Sequence, residues 1–392
     1  MFVFTLILIF LITIIFFVFI FKLNRIACLI ITATLFSVII FFFTHYKVFI
    51  PLDINATGKN ENYKIDLVYL WCEDNPQREK LRNELKEKFG ILENKNTNNP
   101  DSLTKSRFVS NDELKYSLRS VEKYASWINK IYIITDNQVP KWLNLKHPKI
   151  KIVDHKEIMP ESARPSFNSN AIEHCISNIK DLNEHFLYAN DDMMFGNYVK
   201  PEDFFKNGKP IYILEQRVKM DRKSTYTQAI INGYRLFKKQ FSNHRDVILD
   251  ELLLRYPHHN IDPYLKSSVK KTQEVFKNEI DTCINSLFRS NTDIERIIYT
   301  FYALANNEAY YKIKKSNNIF NIKSIITKKN KQPISYYTNV HKGVRKKNNL
   351  IKKLNKYKMF CINDNELTTE KDRKVYKNIM ERIFPDKSSF EK

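Results

Sequence analysis

Apolar and polar positions along this chain fall into runs of two lengths. Two runs are long: residues 1–21 and 26–44 carry no charged side chain, and only Lys22, Asn24 and Arg25 mark polar positions between them. A helix rising about 1.5 Å per residue crosses a hydrocarbon core of roughly 30 Å in about 20 residues. The pattern therefore predicts an N-terminal transmembrane hairpin over residues 1–50. A cleaved signal peptide fits the first run less well, because no basic residue precedes it and the run is too long. A polar linker over 51–64 follows. Residues 65–71 (Ile-Asp-Leu-Val-Tyr-Leu-Trp) then have the pattern of a buried strand, ending at Glu73 and Asp74. Residues 78–89 read as a helix, and an Asn-rich loop runs on to 106. Ser110 and Glu113 stand in capping-box positions ahead of Leu114, Leu118 and Val121 at helical spacing. Strands are predicted at 131–135, 150–153 and 186–189, with Trp142 and Leu143 on a short helix or turn and a helix over 168–182.

Strands alternating with helices predict an α/β fold, a mostly parallel sheet with flanking helices, over residues 65–209. From 210 to 335 helical patterns dominate, at 230–254, at 263–285, and from the capping pair Thr292 and Glu295 through Ile297, Ile298, Phe301 and Leu304. This reads as a helical subdomain beside the sheet. Residues 336–392 add a strand at 358–362, the polar Asn363-Asp364-Asn365 and a terminal helix, a segment expected to complete the core.

Composition changes this picture little. Of the 392 residues 43% are hydrophobic and 13% aromatic, enough for a packed core and against disorder as the main state. The formal charge of +21 suits an anionic substrate or an anionic membrane surface. Lys- and Asn-rich stretches such as 328–331 account for much of it as a compositional bias. No recognition motif points to nucleic acid. The cysteines, at 28, 72, 175, 283 and 361, form no CxxC pair and indicate neither a zinc site nor a disulfide framework. Lys22 and Arg25 would face the cytoplasm by the positive-inside rule, while Lys47 pulls the other way. The sequon Asn55-Ala56-Thr57 fits a globular domain in the Golgi or ER lumen if the source is eukaryotic. A bacterial source would put it on the cytoplasmic face of the membrane.

In an open α/β sheet, ligands gather at the carboxyl ends of the strands. The strand at 186–189 ends in Asn190-Asp191-Asp192, hard oxygen donors of the kind that Mg²⁺ or Mn²⁺ takes. Acidic residues also end strands simply as turn formers, so this triplet alone is weak evidence. Tyr299, Phe301 and Tyr302 read as core rather than as a platform for sugar.

A resemblance sharpens the chemistry. Residues 107–120 (from Arg107-Phe108-Val109-Ser110-Asn111-Asp112-Glu113), 131–143, 165–173 and 186–196 follow in order the second conserved region of the Stealth family. Residues 65–71 resemble its first region, with Cys72-Glu73-Asp74-Asn75 where the acidic turn stands. Pro257-His258-His259 with Phe288-Arg289-Ser290 resemble the third, although Ile261 replaces a proline common there. This leaves His258 and His259 as alternatives, with His259 favoured. Cys361-Ile362-Asn363-Asp364-Asn365 resembles the fourth. Stealth proteins include bacterial capsule polysaccharide phosphotransferases and the animal enzyme that places N-acetylglucosamine-1-phosphate on lysosomal glycans. The resemblance implies transfer of a hexose-1-phosphate from a nucleotide-sugar such as UDP-GlcNAc to a glycan or polysaccharide hydroxyl, with release of a nucleoside monophosphate. Catalytic roles then fall to His259, Arg289, Asp191 and Asp364. Substrate binding falls to Asp66, Asp74, Arg107, Asn363 and His258, and a Mg²⁺ or Mn²⁺ ion to Asp191, Asp192 and Asn190. Two other readings remain open: a metal-dependent glycosyltransferase that releases a nucleoside diphosphate, and a basic, membrane-tethered binding protein without chemistry.

Overall fold

Residues 65–70 are apolar on both sides of the chain except at Asp66, the pattern of a strand covered on both faces. The computed structural model describes residues 33, 34, 37, 52–54, 62–90, 105–220, 224–242, 247–314 and 333–392. In it β1 (Ile65–Leu70) is the middle of a five-stranded sheet. After it come α1 (Pro76–Lys88), α2 (Glu113–Tyr124), β2 (Ile131–Thr135), β3 (Ile150–Asp154) and the short helices α3 (His155–Ile158) and α4 (Ser169–Glu173). Next are β4 (His185–Asn190), β5 (Met193–Phe195), β6 (Phe205–Lys206) and β7 (Lys209–Arg217). The chain continues through α5 (Thr225–Gln240), α6 (Val247–Leu253), β8 (Arg255–Pro257), β9 (Asp262–Leu265), α7 (Lys266–Val275), α8 (Lys277–Ile284), α9 (Ile297–Ala305) and β10 (Tyr310–Ile313). It closes with β11 (Ser335–Asn339), α10 (Val340–Val344), α11 (Lys347–Leu354), β12 (Met359–Asn363) and α12 (Glu370–Ile383).

The central sheet has the order β3-β2-β1-β4-β9, with β9 alone antiparallel. Successive residues of a strand point to opposite faces, and the core divides accordingly. Val68, Tyr132, Ile134, Phe186 and Tyr188 pack with Ile230, Phe237, Ile297, Ile298 and Phe301 of α5 and α9. Leu67, Tyr69, Ile131, Ile133, Leu187 and Ala189 pack with Leu114, Leu118 and Val121 of α2 and with Phe195 and Cys361. The mixed α/β fold with a mostly parallel central sheet is therefore present. Beside it, β11, β12 and β5 make a second sheet, and β10, β7 and β6 a third with β8 on β7.

Several expectations are corrected. Neither capping box forms. The residue before α2 is Asp112, in the left-handed region at φ 65° with no capping hydrogen bond from its side chain, and Glu113 turns inward. The helix after Thr292 starts at Ile297, because the Glu295 carboxylate accepts from the Ile297 N–H instead of facing Thr292. The helix over 168–182 shrinks to α4 and a 3₁₀ turn at Ile176–Asn178. Residues 210–335 hold strands as well as helices. Pro263, which suits the first turn of a helix, lies in β9 opposite Leu187. A proline is tolerated there because β9 is an edge strand, where one side of the backbone needs no partner.

The two-pass N-terminal anchor, and with it the lumenal or cytoplasmic-face membrane location, is not supported. Among the described residues no helix is long and apolar enough to cross a membrane. The two apolar runs that suggested the anchor lie outside the described residues except for Ala33, Thr34 and Ser37.

Candidate active site at the end of β4

Strand β4 ends at Asn190, and the chain turns through Asp191 and Asp192 into β5. The Tyr188 hydroxyl donates to Asn190 Oδ1 at 2.7 Å. Asp192 is buried, 7% exposed. Its Oδ2 accepts from Asn363 Nδ2 at 3.1 Å and from the Cys361 thiol at 3.2 Å, while its Oδ1 has no hydrogen-bond partner among the described residues. These contacts follow from strand pairing. β12 runs antiparallel to β5 with Cys361 opposite Met193, and Cys361 and Asn363, two apart, share one face.

Helix α2 brings a third carboxylate. Ser117 and Ser120, one turn and two turns on from Glu113, clamp the helix to β5: Ser117 Oγ donates to the Met193 carbonyl at 2.5 Å, and the Phe195 N–H donates to Ser120 Oγ at 3.0 Å. That docking sets buried Glu113 beside the acidic turn, where its Oε1 accepts from Asn111 Nδ2 at 2.7 Å. Burial, reinforced by the charge of Asp192, pushes Glu113 up to about 7. Burial and the neighbouring charges of Glu113 and Asp192 hold Asp191 well above the usual carboxylate range. Three acids crowded away from water repel one another.

The turn between β8 and β9 separates the two histidines. The His258 N–H donates to the Ile213 carbonyl at 2.9 Å, and its ring points inward, 1% exposed. There Nε2 lies 2.8 Å from Asp262 Oδ1, near enough for an ion pair but out of line for a hydrogen bond. His259 points the other way, between the rings of Tyr337 and Tyr226 at centroid distances of 5.0 and 5.9 Å. One donor atom each from Asp192, His259 and Cys361 lie within 4.8 Å of one another. Burial holds His259 below the ordinary histidine range, with the Asp192 charge opposing. Behind this turn Arg296 is buried among carboxylates, 3.0 Å from Asp262, 3.1 Å from Glu173 and 2.8 Å from Glu295, with its guanidinium over the Tyr188 ring.

The other expected residues are spread more widely. Arg289 contacts the Ser169 hydroxyl and acts electrostatically on Tyr188. Its loop is fixed by Asp293, which accepts from Asn168 Nδ2 at 2.9 Å and Asn170 Nδ2 at 3.1 Å. Asp364 accepts from Arg373 Nε at 2.9 Å and Asn111 Nδ2 at 3.1 Å, so it braces the loop after Asn363. Asp74, just past the end of β1, is held by both terminal nitrogens of Arg82 at 2.9 and 2.8 Å. Arg107 is exposed, and its charge reaches Tyr337. Asp66 is not brought to this edge. It lies four positions before Leu70, the residue paired with Asn190, or about 13 Å back along the strand. There it is fully buried and accepts from Asn129, Lys130 and Asn183.

Glu113, Cys361, Asp262 and Arg296 were not among the expected site residues. Cys361 carried a signal, since alternation in a strand puts it on the face of Asn363. Arg296 carried none, because a buried arginine and an exposed one read alike.

Comparison with known proteins identifies the family. Residues 107–212 match the family model described as Stealth protein CR2, conserved region 2. The chain is 34% identical over 325 residues to "Capsular polysaccharide phosphotransferase fcs1" of Haemophilus influenzae, covering 79% of this chain and 81% of that protein. It is 30% identical to "Exopolysaccharide phosphotransferase cps2G" of Lactiplantibacillus plantarum, covering 84% of this chain and 97% of that protein. Among solved structures, the galactosyltransferase LgtC in complex with donor and acceptor sugar analogues aligns with 83% of this chain and 96% of its own. Its TM-score is 0.36 at 8% identity, a likeness too slight to decide anything. The long relationship to the phosphotransferases decides the matter: the chain belongs to the Stealth family of sugar-phosphate transferases.

Proposed function

We propose that this protein moves a hexose-1-phosphate, such as N-acetylglucosamine-1-phosphate, from a nucleotide-sugar to a hydroxyl of a polysaccharide, leaving a phosphodiester and releasing a nucleoside monophosphate. The observation that carries this reading is the meeting of Asp192, in the acidic turn after β4, with His259 from one turn and Asn363 from another strand. The names of the relatives, capsular and exopolysaccharide phosphotransferases, supply the substrate class.

The donor set fits a divalent cation. Glu113, Asp191 and Asp192 crowd one corner, and Asp192 keeps one oxygen without a hydrogen-bond partner among the described residues. Asp191 and Asp192, with Asn190 or Asn363, would hold Mg²⁺ or Mn²⁺ through hard oxygen donors. Such an ion supplies charge neutralisation for the departing phosphate. His259, whose charged form burial disfavours, takes the proton of the acceptor hydroxyl. The acceptor oxygen bonds to the phosphorus that carries the sugar. The bond from that phosphorus to the nucleotide's bridging oxygen breaks, and the nucleoside monophosphate leaves with the electron pair. Arg289 contributes a planar fork for phosphoryl oxygens. Asp74 and Arg107 border the nucleotide, and Asp364 and His258 hold the loops that carry Asn363 and His259.

The test is the identity of the released nucleotide when the purified protein meets Mg²⁺, a panel of uridine diphosphate sugars and an acceptor polysaccharide. UMP is expected. UDP as the sole nucleotide product would mean attack at the anomeric carbon and would replace this reading with glycosyl transfer.

A further inference from the structure

The carboxylate of Asp192 belongs to two donor sets of different chemistry. Its Oδ2 accepts from the Asn363 amide and from the Cys361 thiol. One donor atom each from the carboxylate, the His259 imidazole and the Cys361 thiol lie inside 4.8 Å. One carboxylate oxygen, one imidazole nitrogen and one thiolate sulfur make the mixed set that suits Zn²⁺, with its fourth position left open. Mg²⁺ takes neither sulfur nor, usually, a dedicated histidine.

Bond lengths of about 2.0–2.3 Å to the metal put tetrahedral donors about 3.3–3.8 Å apart. The Cys361 sulfur and Asp192 Oδ2 already stand 3.2 Å apart. The histidine has to close by about 1 Å, within reach of a side-chain rotation between the Tyr226 and Tyr337 rings. Independently of the trio, Asp192 is 7% exposed and its Oδ1 is without any partner among the described residues. An unpaired carboxylate oxygen buried beside a thiol and an imidazole is costly to keep, and a cation relieves it.

We propose that Asp192, His259 and Cys361 form a zinc site that competes with the hard catalytic cation and silences the enzyme by occupying His259. On binding, the Zn–S bond replaces the S–H bond of Cys361 and the proton passes to solvent. The inhibitory consequence rests on the phosphosugar-transfer reading, in which His259 is the base. The binding itself does not.

Cobalt(II) is the probe, since it follows zinc into such sites and reports its ligands by colour. One equivalent added to the whole protein in excess Mg²⁺ should give the visible bands of a four-coordinate ion and a near-ultraviolet thiolate charge-transfer band. Both should vanish on addition of Zn²⁺. Cys361→Ser should lose the charge-transfer band, and Cys72→Ser should keep it. His259→Ala should keep the band but weaken cobalt binding by about tenfold or more. Circular dichroism of each variant separates loss of a ligand from loss of fold. In the Mg²⁺-driven assay one equivalent of Zn²⁺ should abolish turnover and a chelator should restore it. Absence of the thiolate band in the parent protein, or its persistence in Cys361→Ser, overturns the site whatever the nucleotide assay gives. A thiolate band together with undiminished turnover overturns the inhibition alone.

Discussion

Adjacent histidines on one tight turn give the sharpest contrast between neighbouring residues. His258 is buried against Asp262, whereas His259 lies between two tyrosine rings beside Asp192. His259→Ala is expected to lower turnover by about 10²–10⁴-fold, the usual contribution of a general base, with little change in melting temperature. His258→Ala should instead lower the melting temperature, because it strips a buried partner from Asp262. Parallel assays of turnover and thermal unfolding check the pair, and equal losses of activity at equal stability would contradict the assignment. Sequence made the choice between them only by analogy, since both residues follow Pro257 and nothing in their spacing tells which ring turns outward. Asp191 and Asp192 were legible because a strand ending in acids marks its own carboxyl edge. Asp66 is also an acid on a central strand, and only the register shows that it lies at the opposite end of β1 from the residue paired with Asn190.

Elements matter here by what they anchor. The Arg296 network ties the start of α9 to β9 and α4 through Asp262 and Glu173. Arg296→Met leaves those acids buried without their counter-charge and should destabilise the fold by about 3–5 kcal/mol, read by urea unfolding. A loss under about 1 kcal/mol would show that the network relaxes or hydrates. Gly196, just beyond β5, is closed in by the backbone: a Cβ there would meet the Leu354 and Tyr357 carbonyl oxygens at 2.5 and 2.6 Å. Gly196→Ala is expected to cost about 1–3 kcal/mol as overpacking, again by urea unfolding, and to loosen the β5–β12 pairing that sets Cys361 and Asn363 beside Asp192. Among the elements, β1, β2 and β4 were legible as apolar runs of strand length. β9 was not, because four residues opening Asp-Pro and running into Lys-Ser-Ser carry the signature of a helix start. Its strand identity comes from pairing with β4, a long-range contact without local trace.

Across the whole molecule, the last residues close back on α2 and the central sheet. Arg119 holds Glu391 through Nε and a terminal nitrogen, both at 2.9 Å, and the Asn144 N–H donates to the Phe390 carbonyl at 2.8 Å. Burial pushes the Glu391 carboxyl up, but Arg119 and Ser388 outweigh it and hold the group below its ordinary range. A depressed folded pKa contributes stability above the unfolded value, near about 4.3, and loses it as pH falls through the folded value. Glu391→Gln should therefore melt lower than the parent at neutral pH, with the gap shrinking below about pH 4; a gap constant into acid would contradict the pairing. The same α2 that this tail holds carries Glu113 to the acidic turn, so the far end of the chain supports the site. The proposed chemistry centres on a cation held where β4 ends. Anomalous X-ray scattering from crystals soaked with Mn²⁺ and a nucleotide-sugar locates that ion directly. A peak coordinated by Asp191 or Asp192 is expected, with a nucleotide phosphate beside it and His259 in the same cleft; a phosphate-bound peak held by any other cluster would overturn the proposed site.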